Sequence, residues 1–594
     1  MVGAYAQLAT MSGPTETMTS SGAAGPPGHH VARVGRGGVL NVVAAAVAAL
    51  LGIALSAVVT NGFSTSQAGL YFAATSLALI VATVSRLGTP VGLVYWISRL
   101  RSHGRQAELG RLMGLALTPV LVLSLALGLL MAALAPQLSQ WLFGGDPQAV
   151  GLVRALGALL PVLALSDVVM GATRGFGTMR ATAVLDRVVR PALQVLLVLV
   201  AVAAGASLTT AGLGWALPYA VSAIAAAWWV RGQLRRAMSR QGPASGSGDG
   251  AGPGPDLAAD QRAADAIGER GVVASLATPD VPDLADDAVG KEDDPGRSPE
   301  AALRRQFWTF TWPRGFTSVV QAGLQRIDVI LVSAIKGPSE AALYAVATRF
   351  LVVGQLTNSS LGLAAQPQLA TLISRGDRDA ANHLYRTTTS WIVLMNGPLY
   401  LVVAAFSPLL LSIFGASYSD AWPVTVVLCV AAFIGNGVGM VDVMLSMAGR
   451  TTWNLANALL ALGVQVGLDL VLIPPYGAFG AAIGWGASIL AANLVPLTQL
   501  AVIDGLHPFG RGMALSVGVV LATVGAPVLL VLRLFGQTWT GLVVALVISG
   551  VAYLAAVTVL RRPLGVAELL AALRRRGETG DRPAAATEED GSAG

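Results

Sequence analysis

Fourteen apolar runs, each about as long as a membrane-spanning helix, constrain this 594-residue chain more than any other feature. A bilayer core about 30 Å thick needs roughly 20 apolar residues per helix. The runs lie near residues 38–60, 67–95, 110–135, 150–172, 188–206, 209–233, 307–336, 341–373, 386–414, 421–448, 453–474, 478–503, 512–534 and 539–560. We therefore predict an all-α polytopic membrane protein with about 14 transmembrane helices.

The composition supports this class and excludes several others. Hydrophobic residues make up 54% of the chain and charged residues only 12%, whereas soluble proteins carry about 25% charged residues. The single cysteine, Cys429, excludes a thiolate metal site, and neither Lys291 nor Lys336 follows the glycine pattern of a P-loop. The sequence thus predicts a protein that is not an enzyme and uses no cofactor or metal.

The arginines alternate along the chain with the predicted spans. Arg99 and Arg101 follow the second span, Arg174 follows the fourth, and Arg231 and Arg235 follow the sixth. Because Lys and Arg accumulate on the cytoplasmic side, this alternation predicts that both termini are cytoplasmic. We predict a bacterial cytoplasmic membrane protein that contacts membrane lipids, and we explain the net charge of +6 by topology, with no nucleic-acid partner.

Composition also divides the chain into segments. We predict a disordered tail at 1–33, a first six-helix lobe at 34–235, a disordered acidic linker at 236–305, a second six-helix lobe at 306–503, two further helices at 504–562, and a tail with an interfacial helix at 563–594. Two interpretations of the linker remain open: a plain tether between lobes, or a docking segment for a glycan polymerase or another envelope-synthesis protein.

The two lobes look like copies of one another. Residues 66–75 parallel 339–348, residues 142–144 parallel 413–415, and residues 211–215 parallel 481–485, all at an offset of about 270. Six spans separate equivalent points, so both copies have the same orientation. This predicts two lobes related by an axis along the membrane normal.

The seventh and eighth predicted spans hold polar residues that are costly inside a bilayer. One face of the seventh carries Arg314, Thr317, Ser318, Gln321, Gln325 and Asp328. Arg326 lies near the edge of that face, and the eighth span adds Arg349 and Gln355. Arginine donates bidentate hydrogen bonds to phosphate oxygens, which favours a wet cavity that binds a diphosphate.

An alternative for these charges is purely structural. Asp328 could pair with Arg326 or Arg349 and lock the seventh and eighth spans together. Asp167, in the fourth span, is expected to pair with Arg174. Two more carboxylates, Asp442 and Asp469, could bind a driving cation or pair locally. The aromatic stretch at 307–313 is typical of a membrane-interface belt, and a gate is the other interpretation.

Several motifs in one order resemble a known family. They are Arg326-Ile-Asp328-Val329, Ala341-Ala-Leu343-Tyr344-Ala-Val-Ala347, Pro367 with Ser374-Arg375-Gly376-Asp377, Phe414-Gly415-Ala-Ser-Tyr418 and residues 472–482. Over most of 38–503 the chain resembles the multidrug/oligosaccharidyl-lipid/polysaccharide exporter superfamily, in its polysaccharide and lipid-linked oligosaccharide flippase branch.

The resemblance implies a two-lobed alternating-access transporter that flips a polyprenyl-diphosphate-linked saccharide outward. Arg314 and Arg326 would then bind the diphosphate or the sugar. Two alternatives within the superfamily are a cation-coupled drug or metabolite antiporter, expected to have an acidic cavity, and a lipid II flippase. A membrane-embedded glycosyltransferase or acyltransferase is a further alternative, and it would need acid/base or metal-binding residues at the membrane face.

Overall fold

The computed structural model describes residues 28–177, 181–239, 299–447 and 450–565, and these ranges are helical without any strand. Within them, 11 helices are long and apolar enough to cross a membrane, or 12 if the bent pair Pro147–Ala158 and Leu160–Gly175 forms one span. The predicted all-α membrane class is confirmed. The count of 14 is not.

The helices of the first half run in sequence order with short connections. They are α1 Gly28–Gly62, α2 Thr65–Ser85, α3 Thr89–Ser102, α4 Leu109–Ala133, α5 Ala135–Leu142, α6 Pro147–Ala158, α7 Leu160–Gly175, α8 Arg190–Ala203 and α9 Leu208–Ser239. A π-helix, Thr182–Val189, leads into α8.

The second half begins with the longest helix. Its helices are α10 Pro299–Lys336, α11 Pro338–Ala347, α12 Leu351–Ser374, α13 Arg378–Ala405, α14 Ser407–Leu411, α15 Trp422–Asn436, α16 Val441–Met447, α17 Thr451–Tyr476, α18 Ala478–Asp504, α19 Arg511–Val520, α20 Ala526–Phe535 and α21 Trp539–Val559.

Two predicted spans, the fifth and the eighth, are not among the helices that are long and apolar enough. The π-helix and α8 form the fifth, and three charged residues, Asp186, Arg187 and Arg190, lie near its start. A 3₁₀ turn, Thr348–Phe350, divides the eighth into α11 and α12, and α12 contains polar residues such as Gln355 and Gln366. Run length alone gives a higher count because it does not weigh such polar residues.

The break between α2 and α3 fixes how the first half meets α10. Leu87 (φ 52°) and Gly88 (φ 76°) adopt left-handed backbone conformations that end α2. A side chain on Gly88 would collide with the backbone of Gly315 in α10. The two glycines therefore allow the two backbones to approach closely at this point.

Helix α10 occupies a central position. It packs against α2 and α3 of the first half and against α17 of the second. One buried cluster joins the two halves and contains Tyr71, Phe143, Tyr344 and Phe414. The last three helices pack through two smaller clusters, around Phe406 with Val528 and Leu542 and around Leu394 with Val520.

Three of the predicted segments fall largely or wholly outside the described residues. These are the tail at 1–33, of which 28–33 is described as helix, most of the linker at 236–305, and most of the tail at 563–594 with its interfacial helix. Their order or disorder, the lobe boundaries and the docking role of the linker stay predictions.

Candidate functional site

Two arginines of the second half lie side by side against the first half. The charged group of Arg349 lies close enough to Arg326 for the two to repel, and it lies 5.2 Å from the ring of Phe72 in α2. Arg326 in turn lies within electrostatic range of Tyr219 in α9. Both arginines are partly exposed. We call Arg326 and Arg349 the arginine pair.

No carboxylate neutralises the arginine pair within the described part of the chain. Neither Arg326 nor Arg349 forms an ion pair there, and Nε of Arg349 is buried without a hydrogen-bond partner. Burying a charge without a partner is strongly unfavourable. The arrangement is therefore suited to an anion that brings its own negative charge and hydrogen-bond acceptors.

An ion-pair network on the first half faces the arginine pair. Asp167 binds Arg86 at 2.8 Å and lies 3.8 Å from Arg190, which also binds Asp186 at 2.6 Å. The guanidinium of Arg190 lies 4.4 Å from the ring centre of Tyr219. Two aspartates and two arginines balance, so this network adds no net charge to that of the arginine pair.

This network corrects one expectation from the sequence. Asp167 was expected to pair with Arg174, but in the structure it pairs with Arg86 and approaches Arg190. Asp186 lies in the π-helix and Arg190 is the first residue of α8. Their ion pair lies close to Asp167. Arg174 lies within electrostatic range of Asp167 without an ion pair.

A second polar cluster lies inside the second half, away from the arginines. Asp328 is buried and accepts hydrogen bonds from the hydroxyl of Tyr344 and from Nε2 of Gln465. Asp469, one turn after Gln465 in α17, is fully buried, and its carboxyl group interacts with that of Asp328. We call Asp328 and Asp469 the carboxyl pair.

The sequence left open an ion pair between Asp328 and an arginine, and the carboxyl pair differs from it. Asp328 pairs with neither Arg326 nor Arg349 and is held by neutral donors instead. The oxygens of Asp469 receive no hydrogen bond from the residues that the structure describes. A shared proton or a bound monovalent cation fits such a pair, and across the described ranges no group of three or more His, Cys, Asp or Glu residues could hold a metal ion.

The remaining predicted site residues are scattered. Gln321, Gln325 and Gln355 are exposed, whereas Asp328 is buried. Asp442 is exposed just after the break between α15 and α16, and its backbone carbonyl accepts from Nδ2 of Asn454 at 3.1 Å. A transport role for these residues stays a prediction.

Arg314 belongs to a stack that joins the two halves on the arginine-rich side of the membrane. Its guanidinium lies 3.6 Å from the ring centre of Phe310 and donates to the Phe310 carbonyl at 2.6 Å. Phe310 stacks on Tyr95 of α3, with ring centres 4.2 Å apart, and Arg99 donates to the Tyr95 hydroxyl. Phe310 of the stretch at 307–313 thus joins α10 to α3, and a gate role for this stretch stays a prediction.

The opposite ends of the two halves are joined by hydrogen bonds. Asn61 donates to the carbonyl of Ile413 at 3.0 Å, and the hydroxyls of Thr65 and Ser417 lie 3.5 Å apart. Ser333 donates to the carbonyl of Leu142 at 2.7 Å. The arginine pair therefore lies between contacts at both membrane sides.

Sequence reasoning missed several members of these clusters. Arg86, Arg190 and Gln465 were not among the predicted site residues. One available signal was the spacing of Gln465 and Asp469, which puts both side chains on one face of a helix. The contact of Arg190 with Tyr219 had no such signal, since it depends on the packing of α8 against α9.

Comparisons with known proteins agree with this architecture. Residues 313–471 match the family model described as MatE. In fold, the chain is similar to the lipid II flippase MurJ in an inward closed conformation, with a TM-score of 0.62 and 12% identity over 89% of this chain and 99% of that one. No curated protein sequence matches it.

A second solved structure has a similar fold. It is the inward-facing conformation of a multidrug resistance MATE family transporter, with a TM-score of 0.50 and 15% identity over 77% of this chain and 96% of that one. At these identities the likeness concerns the fold and leaves the cargo open.

Proposed function

We propose that this chain is a member of the multidrug/oligosaccharidyl-lipid/polysaccharide superfamily of membrane transporters and that it flips a polyprenyl-diphosphate-linked oligosaccharide; the MatE match at residues 313–471 and the similarity in fold to MurJ and to a MATE family transporter support this. The cargo moves from the inner to the outer leaflet of a bacterial cytoplasmic membrane, for polysaccharide or cell-envelope synthesis. The lipid tail stays in the bilayer while the polar head passes between the lobes, by alternating access.

The arginine pair is the observation that supports this cargo. Two guanidinium groups that repel one another in a membrane protein are stabilised when an anion binds both. A diphosphate presents several oxygens at short spacing and accepts bidentate hydrogen bonds from guanidinium. The buried ring of Phe72, 5.2 Å from the guanidinium of Arg349, helps to hold that group in place beside Arg326.

The carboxyl pair supports cation coupling of the same transporter. Two ionised carboxylates in contact repel each other by about 4 kcal/mol at a separation near 4 Å and an effective dielectric constant of 20. A proton or a monovalent cation at Asp328 and Asp469 removes this repulsion. Binding and release of that cation would then shift the balance between inward and outward states.

Two alternative functions predicted from the sequence differ in how well they fit the arrangement of charges. A drug or metabolite antiporter would use an acidic binding site between the lobes, but Asp167 and Asp186 are already neutralised by Arg86 and Arg190, and the carboxyl pair is buried inside the second half. A lipid II flippase handles a cargo of the same chemical class as the one proposed. The similarity to MurJ, which extends over 99% of that protein, favours it as the second candidate.

Deletion of the gene, followed by mass spectrometry of lipid-linked intermediates, tests the proposal. We expect a polyprenyl-diphosphate-linked glycan to accumulate on the inner leaflet, and its mass distinguishes an oligosaccharide precursor from lipid II. Complementation with Arg349→Gln should fail, whereas Arg154→Gln, which alters an exposed arginine of α6, should restore export. Absence of any accumulated lipid-linked glycan would reject the proposal.

A further inference from the structure

The arginine-rich end of α9 combines two tryptophans with two arginines around a cavity. The cavity measures roughly 480 Å³ and is lined by Trp228, Trp229, Arg231, Gly232, Gln233 and Arg235. Trp228 is 79% exposed although it lies in a helix long and apolar enough to cross a membrane. Its indole therefore lies where lipid would surround it.

The positions of these residues along α9 match the layers of a membrane surface. Trp228, Arg231 and Arg235 follow one another at helical spacings of three and four residues, so they share one face. Indole rings concentrate at the level of lipid headgroups, and arginines one and two turns further out reach phosphate oxygens. Trp229 is held from behind by an edge-to-face contact with Phe176.

The two arginines have no anionic partner in the described part of the protein. Arg231 and Arg235 are exposed, and none of the ion pairs there includes either of them. Between a cation-lined cavity and an exposed indole, the complementary ligand has a negative head and an apolar body. An acidic peptide would satisfy the arginines but would leave Trp228 uncovered.

The predicted repeat shows that the cluster is particular to α9. At the repeat offset of 270, the counterparts of Trp228, Arg231 and Arg235 are Thr498, Ala501 and Gly505. The corresponding end of α18 carries Asp504 instead, which pairs with Arg450 at 3.4 Å. The orienting effect of Arg231 and Arg235 does not require an exposed tryptophan on the same face, and the combination of the three residues is not repeated in the second half.

We propose that this face of α9 is a binding site for an anionic phospholipid of the inner leaflet, with Arg231 and Arg235 on the phosphate and Trp228 against the upper acyl chains. The site lies outside the arginine pair and the carboxyl pair. It is independent of the cargo that the protein carries.

Tryptophan quenching by brominated lipids tests this site in the full-length protein. In nanodiscs, brominated phosphatidylglycerol should quench the emission that is lost in Trp228→Phe more strongly than brominated phosphatidylcholine does. The double variant Arg231→Gln/Arg235→Gln should lose this preference, because each basic residue near an anionic surface contributes roughly fivefold to binding, or about 30-fold together. The matched control is Arg561→Gln/Arg562→Gln, which alters two exposed arginines after α21 and should keep the preference.

Four results would overturn the proposal. The first is equal quenching by the two lipids in the wild type, and the second is a preference that survives the double variant. The third is displacement by inorganic phosphate beyond that by sodium chloride of equal ionic strength, which would identify a free-phosphate site. The last is a preference that appears only after deletion of residues 245–295, which would identify the acidic linker as the occupant.

Discussion

Asp328 of α10 and Asp469 of α17 bring two carboxyl groups together inside the second half of the protein, with Gln465 and Tyr344 donating to Asp328. No arginine neutralises either of them in the described ranges. The negative charge is thus concentrated in the interior of one lobe, while the uncompensated positive charge of Arg326 and Arg349 lies between the lobes. This separation allows a cation and an anionic cargo to bind at different places.

The carboxyl pair should make the stability of the protein depend on a cation. A proton or a monovalent cation removes the repulsion between Asp328 and Asp469, so the melting temperature of wild-type protein in detergent should rise with Na⁺ or as pH falls. Asp469→Asn removes the repulsion permanently and should abolish that response. Asp420→Asn serves as the control, because it alters an exposed carboxylate that is outside the pair and is not a candidate cation site. A full cation response in Asp469→Asn would contradict the coupling role.

Loss of one member of the arginine pair should weaken cargo binding without unfolding the protein. A hydrogen bond to a charged group contributes about 1.5–3 kcal/mol, so Arg349→Gln should lower affinity for a polyprenyl diphosphate by roughly 10- to 150-fold. The same change relieves repulsion with Arg326, and the melting temperature should stay the same or increase. Binding titration and thermal unfolding check the two effects, and unchanged affinity would remove Arg349 from the site.

Asp167 should stabilise the folded protein because it pairs with Arg86. Asp167→Asn leaves Arg86 without its counter-ion and should lower the free energy of unfolding by about 1.5–3 kcal/mol. Adding Arg86→Gln to that variant should recover part of the loss, which a double-mutant cycle measures. Arg174→Gln should not be coupled to Asp167 in the same way. A large coupling energy between Asp167 and Arg174 would instead support the pairing expected from the sequence.

A covalent link across the contact opposite the aromatic stack should stop transport. The hydroxyls of Thr65 and Ser417 lie 3.5 Å apart, close enough for a disulfide once both residues are cysteines. In a Cys429→Ala background, Thr65→Cys/Ser417→Cys should lose glycan export when oxidised and regain it on reduction. Each single cysteine variant should be insensitive to oxidant. Export that continues in the crosslinked protein would show that this contact does not open during transport.

The sequence alone determined the class of this protein, because a helix that crosses lipid must consist mainly of apolar residues. Apolar runs of about 20 residues and a low charge content leave a helical membrane protein as the practical solution, since backbone groups must bond within each helix in lipid. The costly residues Arg326, Arg349, Asp328 and Asp469 were also recognisable by their place inside such runs.

Only the tertiary structure decided which charges meet. Helical periodicity put Arg314, Gln321, Gln325 and Asp328 on one face, but packing against α3 places Tyr95 on Phe310, the neighbour of Arg314 one turn earlier, while packing against α17 buries Asp328 beside Asp469. The left-handed turn at Leu87 and Gly88 was equally hidden, because its role is the close approach of Gly88 to Gly315 of α10, which only packing shows. Partners that are distant in sequence are chosen by how helices cross, and one-dimensional spacing contains no information about that geometry.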